Sequence, residues 1–145
     1  MPLIGRSAGS APGTIMIETD LFEHRKVKSG LINPRCFGED LAAWLKQQLA
    51  RFPALGFEIS EPIQEDYGWG LWALRGKDPF WIALSHVGDR PQEEPAHWVV
   101  FVEYDPGPNL LKRIVHRPDR QALVQLRERI RLVLASSTAV KTIQA

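Results

Sequence analysis

The sequence predicts a single α+β domain in which a largely antiparallel sheet carries two helices on one face. Three observations point there. Two stretches, "EDLAAWLKQQLARF" and "PDRQALVQLRERIRLVLAS", repeat apolar residues at helical spacing. Between them run four consecutive strand-like segments, and the last three of these are separated only by "GKDP" and by the polar loop "GDRPQEEPA", as in a meander. The expected order is β-α-β-β-β-β-α, one sheet layer under one helix layer.

A chain of 145 residues fits one domain and needs no disulfide or metal to hold a core. Residues 5–13, "GRSAGSAPG", are small or turn-forming and bury little, so 1–13 is expected to be a mobile lead-in and the domain to span 14–136. "TIMIETDLFEHRKV", rich in β-branched and apolar residues with partial alternation, reads as a strand or two strand pieces, and "KSGLINPRCFG" as a loop closed by Pro34 and Gly38.

The first helix is expected over 39–52. Leu41, Trp44, Leu45, Leu49 and Phe52 share one stripe, Glu39 and Asp40 place negative charge in the first turn, and Pro53 stops the helix. After a turn at "PALG" come "FEISEPI", "WGLWALR", "FWIALSHV" and "HWVVFVEY"; "DPGPN" at 105–109 is a turn. The second helix, 119–135, puts Leu123, Leu126, Ile130, Val133 and Leu134 on one face and most of its arginines on the other, and 137–145 is read as a C-terminal tail.

Composition excludes several functions. With 44% hydrophobic and 24% charged residues and a formal net charge of +1, nothing drives the whole chain toward nucleic acid or anionic lipid. The basic residues near the end, from Lys112 to Arg131, are interrupted by Asp119 and Glu128 and form no recognition motif, so no nucleic-acid partner is expected. No run is long enough for a membrane span or a signal-peptide core. The lone cysteine, Cys36, has no intramolecular disulfide partner, and a reducing, cytoplasmic setting is expected.

The opening of the second strand run, "EDYGWGLW", holds two carboxylates, three aromatic rings and two glycines. Adjacent Glu65 and Asp66 point opposite ways in extended backbone and make a poor acid–base pair. "EDYG" therefore reads as a turn, with Asp66 accepting N–H bonds from Gly68 or Trp69, and "WGLW" as a strand whose glycine admits a close neighbour. Trp69 then faces the core and Trp72 the other side.

Face assignment depends on register. If "GKDP" pairs Arg75 with Phe80 and the next hairpin pairs His86 with His97, one face carries Leu71, Ala73, Ile82, Leu84, Val99 and Phe101. The other carries Trp72, Leu74, Trp81, Ala83, Trp98, Val100 and Val102. Both faces are apolar and two helices cover only one, so the tryptophan face, Trp72, Trp81, Trp98, Leu74 and Val100, is the expected binding surface. A homodimer or a protein partner is expected there; the competing reading is ordinary core.

A rival pocket lies at the mouth of the hairpin, lined by Glu65, Asp66, Tyr67, Trp69, His86 and His97, where acid–base side chains could support a small enzyme or a metal- or ligand-binding protein. The histidine spacing is not diagnostic of a metal, and no metal or cofactor is expected. Ser85 lacks a nucleophile elbow, Cys36 has no identifiable base, and neither a Walker A nor a "GxGxxG" string occurs, so no catalytic residue is assigned. The sequence is read as that of a non-catalytic binding or interaction protein of adaptor, accessory or toxin-neutralising type.

Overall fold

A computed structural model describes residues 13–26, 36–88, 95–106 and 119–144. Most of the expected lead-in and of the 28–38 and 88–96 loops, and the end of the 105–109 turn, lie outside the described residues. The protein is α+β: among the described residues, an antiparallel sheet of seven strands with two helices. In chain order the elements are β1 (Thr14–Glu18), α1 (Glu39–Leu49), a 3-10 turn (Pro53–Leu55), β2 (Glu58–Ile59), β3 (Ile63–Glu65), β4 (Gly68–Arg75), β5 (Asp78–Val87), β6 (His97–Tyr104), α2 (Arg120–Ser136) and β7 (Lys141–Gln144). Across the sheet they run β2-β4-β5-β6-β1-β7, with β3 sharing the β4 edge beside β2. Among the described residues no helix is long and apolar enough to cross a membrane.

The meander is present, with two additions. "FEISEPI" is not one strand: β2 and β3 are separated by Ser60, Glu61 and Pro62. Ser60 bridges the gap, its N–H donating to the Trp72 carbonyl and its Oγ accepting from the Trp72 N–H, both at 2.9 Å. Pro62 donates no backbone bond, which suits an interrupted edge. The segment read as a tail contains β7, which pairs antiparallel with β1 from Glu18↔Lys141 to Met16↔Gln144, with an irregularity between Met16 and Ile17.

Helix α1 ends three residues earlier than expected, yet Phe52 still packs against the core, beneath the Arg129 guanidinium 4.1 Å from its ring centre. Helix α2 is capped by Asp119, whose Oδ1 accepts from the N–H groups of Gln121 (3.0 Å) and Ala122 (3.1 Å), satisfying two otherwise orphaned donors. Arg75 at the end of β4 ties this helix to the sheet, donating from Nη1 to Gln125 Oε1 at 2.7 Å and to the Leu55 carbonyl at 3.1 Å.

Both helices lie on the same side. Leu41, Leu45 and Leu49 of α1 and Leu126, Ile130 and Leu134 of α2 join one continuous core with Ile15, Ile17, Leu71, Ala73, Phe80, Ile82, Leu84, Trp98, Val100 and Val102 of the sheet. Burying one such aliphatic side chain stabilises the fold by about 1.5–3 kcal/mol. Among the described residues, this defines a covered face and an open face.

Candidate functional site

The pairings settle which residues share the open face. The β4–β5 hairpin closes more tightly than expected: Arg75 pairs with Asp78, not Phe80, through a two-residue turn, and Gly76 takes the positive φ of 63° that such a turn requires. That difference is two residues, so the faces keep their identity. Leu71 lies opposite Ile82 on the covered side and Trp72 opposite Trp81 on the open side.

The β5–β6 pairing differs by one residue and inverts β6. Val87, not His86, pairs with His97; His86 pairs with Trp98, Leu84 with Val100 and Ile82 with Val102. Trp98, Val100 and Val102 therefore belong to the covered face, where each is 0% exposed, and the expectation that Trp98 and Val100 form a binding surface is corrected. Trp98 anchors an aromatic cluster instead: Phe22 and His86 meet its ring edge-on at 6.1 and 5.1 Å, and its Nε1 donates to the Thr19 carbonyl. Val99 and Phe101, assigned to the core by the sequence reading, take their place on the open face and are half-buried.

At the centre of the open face Trp72 and Trp81 form a direct cross-strand pair, ring centres 4.8 Å apart and planes inclined at 56°. The Trp81 ring lies over Gly70, where a Cβ would meet it at 2.1 Å, so a glycine is needed at that position. The Trp81 Nε1 donates to the Tyr67 hydroxyl at 2.9 Å. Burial pushes the Tyr67 phenol above its ordinary range, while the bond from Trp81 acts the other way and Glu65 and Glu103 add to the rise, so it stays neutral at physiological pH. Trp81 is only 8% exposed, yet among the described residues it is the one buried apolar side chain that does not belong to the continuous core.

Around this pair lie half-buried Ala83, Val99, Phe101 and Met16 and the exposed Leu74 (40%) and Ile63 (36%). Glutamates interrupt the apolar field in fixed places: Glu103 is in register beside Trp81, Glu58 beside Leu74, and Glu65 faces Gly68 near Tyr67. Among the described residues none of these three carboxylates makes a salt bridge.

The rival pocket does not assemble. Trp69 is buried on the covered face, paired with Leu84, and its Nε1 donates to the Cys36 carbonyl at 2.9 Å; Glu65 and Tyr67 are on the open side. Asp66 does not cap its turn. The Cys36 thiol instead binds carbonyls of the turn, donating to those of Glu65 (3.0 Å) and Gly68 (3.1 Å). Burial pushes this thiol up, which makes it inert rather than nucleophilic.

His86 and His97 are not opposite each other and point to different faces. His97 Nε2 meets Glu18 Oε1 at 3.0 Å, whereas His86 stacks on the fully buried His24, ring centres 5.6 Å apart and planes within 17°. His24 Nε2 meets Asp20 Oδ1 at 3.0 Å, and the same oxygen accepts from the Ala96 N–H. Burial lowers the His86 pKa, and His24 and His97 lower it further. Among the described residues no group of three or more His, Cys, Asp or Glu side chains is placed to hold a metal ion.

A cleft of about 170 Å³ opens between Glu23, Phe37, Asp40 and Trp69 at the start of α1. Two of its carboxylates are committed to backbone: Asp40 accepts from the N–H groups of Glu23 and Leu41, and Glu23 from those of Arg25 and Lys26. The volume is below the range of about 300–1,000 Å³ typical of small-molecule sites. Comparison with family models, curated proteins and solved structures returns no match.

Proposed function

We propose that this chain is a non-catalytic binding protein whose working surface is the open face of the sheet. The observation that carries the reading is the Trp72–Trp81 pair, set in an apolar field on the side of the sheet away from both helices. Contiguous apolar surface of this kind, built around aromatic anchors, is characteristic of interaction sites. The occupant is a protein surface, either another chain or a second copy in the homodimer that the sequence leads one to expect.

The test uses purified protein and Leu74→Asp, a change at an exposed position that leaves the core intact. Affinity capture from the source cell should return one stoichiometric partner for the wild-type chain and lose it for Leu74→Asp, with circular dichroism unchanged. Sedimentation at micromolar concentration separates the two occupants: a dimer dissociated by Leu74→Asp is self-association. A monomer that retains no partner contradicts the reading.

A further inference from the structure

We infer that the open face takes a basic partner, a protein segment presenting arginine among apolar side chains, rather than a second copy of this chain. The inference rests on the proposed use of the face and specifies what occupies it.

Its basis is the placement of charge. Glu58, Glu65 and Glu103 surround the two tryptophans, and none is neutralised by a salt bridge among the described residues. Glu103 does act at a distance on Arg127, but that guanidinium is already engaged, donating from Nε and Nη2 to the Val102 carbonyl at 3.1 and 2.9 Å. Among the described residues the lysine in register with the face is Lys141, at the far edge beside Glu18, and Glu18 is taken by His97.

Self-pairing about a two-fold axis near Trp72 and Trp81 would bring these carboxylates close to those of the second copy, because Glu58 and Glu103 flank the pair on either side. Like charges brought together in a desolvated interface oppose association strongly. An arginine suits the same ground. Its guanidinium stacks on an indole face and forms a bidentate pair with a carboxylate; the half-buried Trp72 offers the ring, and the exposed Glu103, in register with the neighbouring Trp81, offers the carboxylate. Apolar residues alternating with arginine would meet Trp72, Leu74 and Phe101.

The probe is a fluorescein-labelled octapeptide of alternating arginine and leucine, followed by fluorescence anisotropy with the full chain. Saturable binding is expected, weakened by salt and reduced about tenfold or more in the Glu65→Lys/Glu103→Lys double variant. Glu128→Lys, a single charge reversal on α2, should leave it unchanged, and the glutamate–leucine octapeptide should not bind. If both peptides bind alike, lose affinity in Trp72→Ala and ignore the charge reversals, the surface reading stands and the basic partner is wrong. If Trp72→Ala changes nothing, or no peptide binds up to about 1 mM, both fall. A wild-type dimer in sedimentation that Leu74→Asp dissociates makes a second copy the occupant and overturns the inference. Binding that emerges only after Lys112→Glu/Arg113→Glu overturns it in favour of the chain's own basic segment.

Discussion

Strands β4 and β5 place Leu71 against Ile82 on one side of the sheet and Trp72 against Trp81 on the other, one residue further along each strand. The first pair is sealed beneath α1 and α2 at 0% exposure. The second has the larger side chains, yet it lies outside the continuous core and is flanked by glutamates that make no salt bridge among the described residues. Hydrophobicity alone does not separate these two faces. They are separated by which side the helices take and by where carboxylates sit, since core positions of β4, β5 and β6 contain no glutamate while the open face has Glu65 and Glu103 beside its rings.

The largest difference between the faces should show in tryptophan truncations. Trp98→Ala removes a fully buried ring from the covered face and should cost about 3–5 kcal/mol in urea unfolding, with a loss of soluble yield. Trp72→Ala, on the open face, should cost about 1–2 kcal/mol, roughly the share of a half-buried aromatic pair. Equal costs would show that the open face is a second core.

Next in size is Gly70→Ala. The added methyl collides with the Trp81 ring and cannot be accommodated without moving it, so a loss of about 1–3 kcal/mol is expected together with altered tryptophan fluorescence. A neutral outcome would mean that Trp81 does not rest on the backbone as described. Asp119→Ala should cost about 1 kcal/mol through the lost cap of α2, a covered-face element, with no effect on binding.

The smallest effect is the pH dependence from His86. Its pKa is lowered in the fold by burial, with His24 and His97 contributing, relative to an ordinary value of 6.5. The unfolded chain thus binds the proton more readily. Stability from the neutral ring is complete above about 6.5 and is lost as pH falls through the folded value. Asp20, beside His24, and Glu18, beside His97, are the acidic groups nearby. Thermal midpoints between about pH 7.5 and 5 should fall for wild type and flatten in His86→Phe, which keeps an edge-on ring against Trp98. Parallel slopes would remove His86 from this account.

How far these faces were legible in the sequence follows from the connections. Helix α1 announces itself by the Leu41, Leu45 and Leu49 stripe, and the two-residue error in the β4–β5 hairpin was harmless because side chains alternate with period two. That is why Trp69, Trp72, Leu74 and Trp81 were placed correctly. The β5–β6 connection has no such restraint. "HWVVFVEY" is apolar at both parities, so nothing in the strand reveals that Trp98 rather than Val99 faces the helices, and a one-residue difference inverted it. β7 was missed because "KTIQ" is too short to show alternation and gains its place only by pairing with β1. The buried His24 under His86 left no local signal, since the stack joins residues far apart in sequence.

The central claim, that the open face is a working surface and not core, is tested most directly by oxidative footprinting of the tryptophans, read by mass spectrometry, in the free chain and in complex with its captured partner. Trp72 should oxidise readily in the free protein and become protected in the complex, while Trp98 stays unreactive in both. A Trp72 as resistant as Trp98 in the free chain, or one left unprotected in the complex, would contradict it.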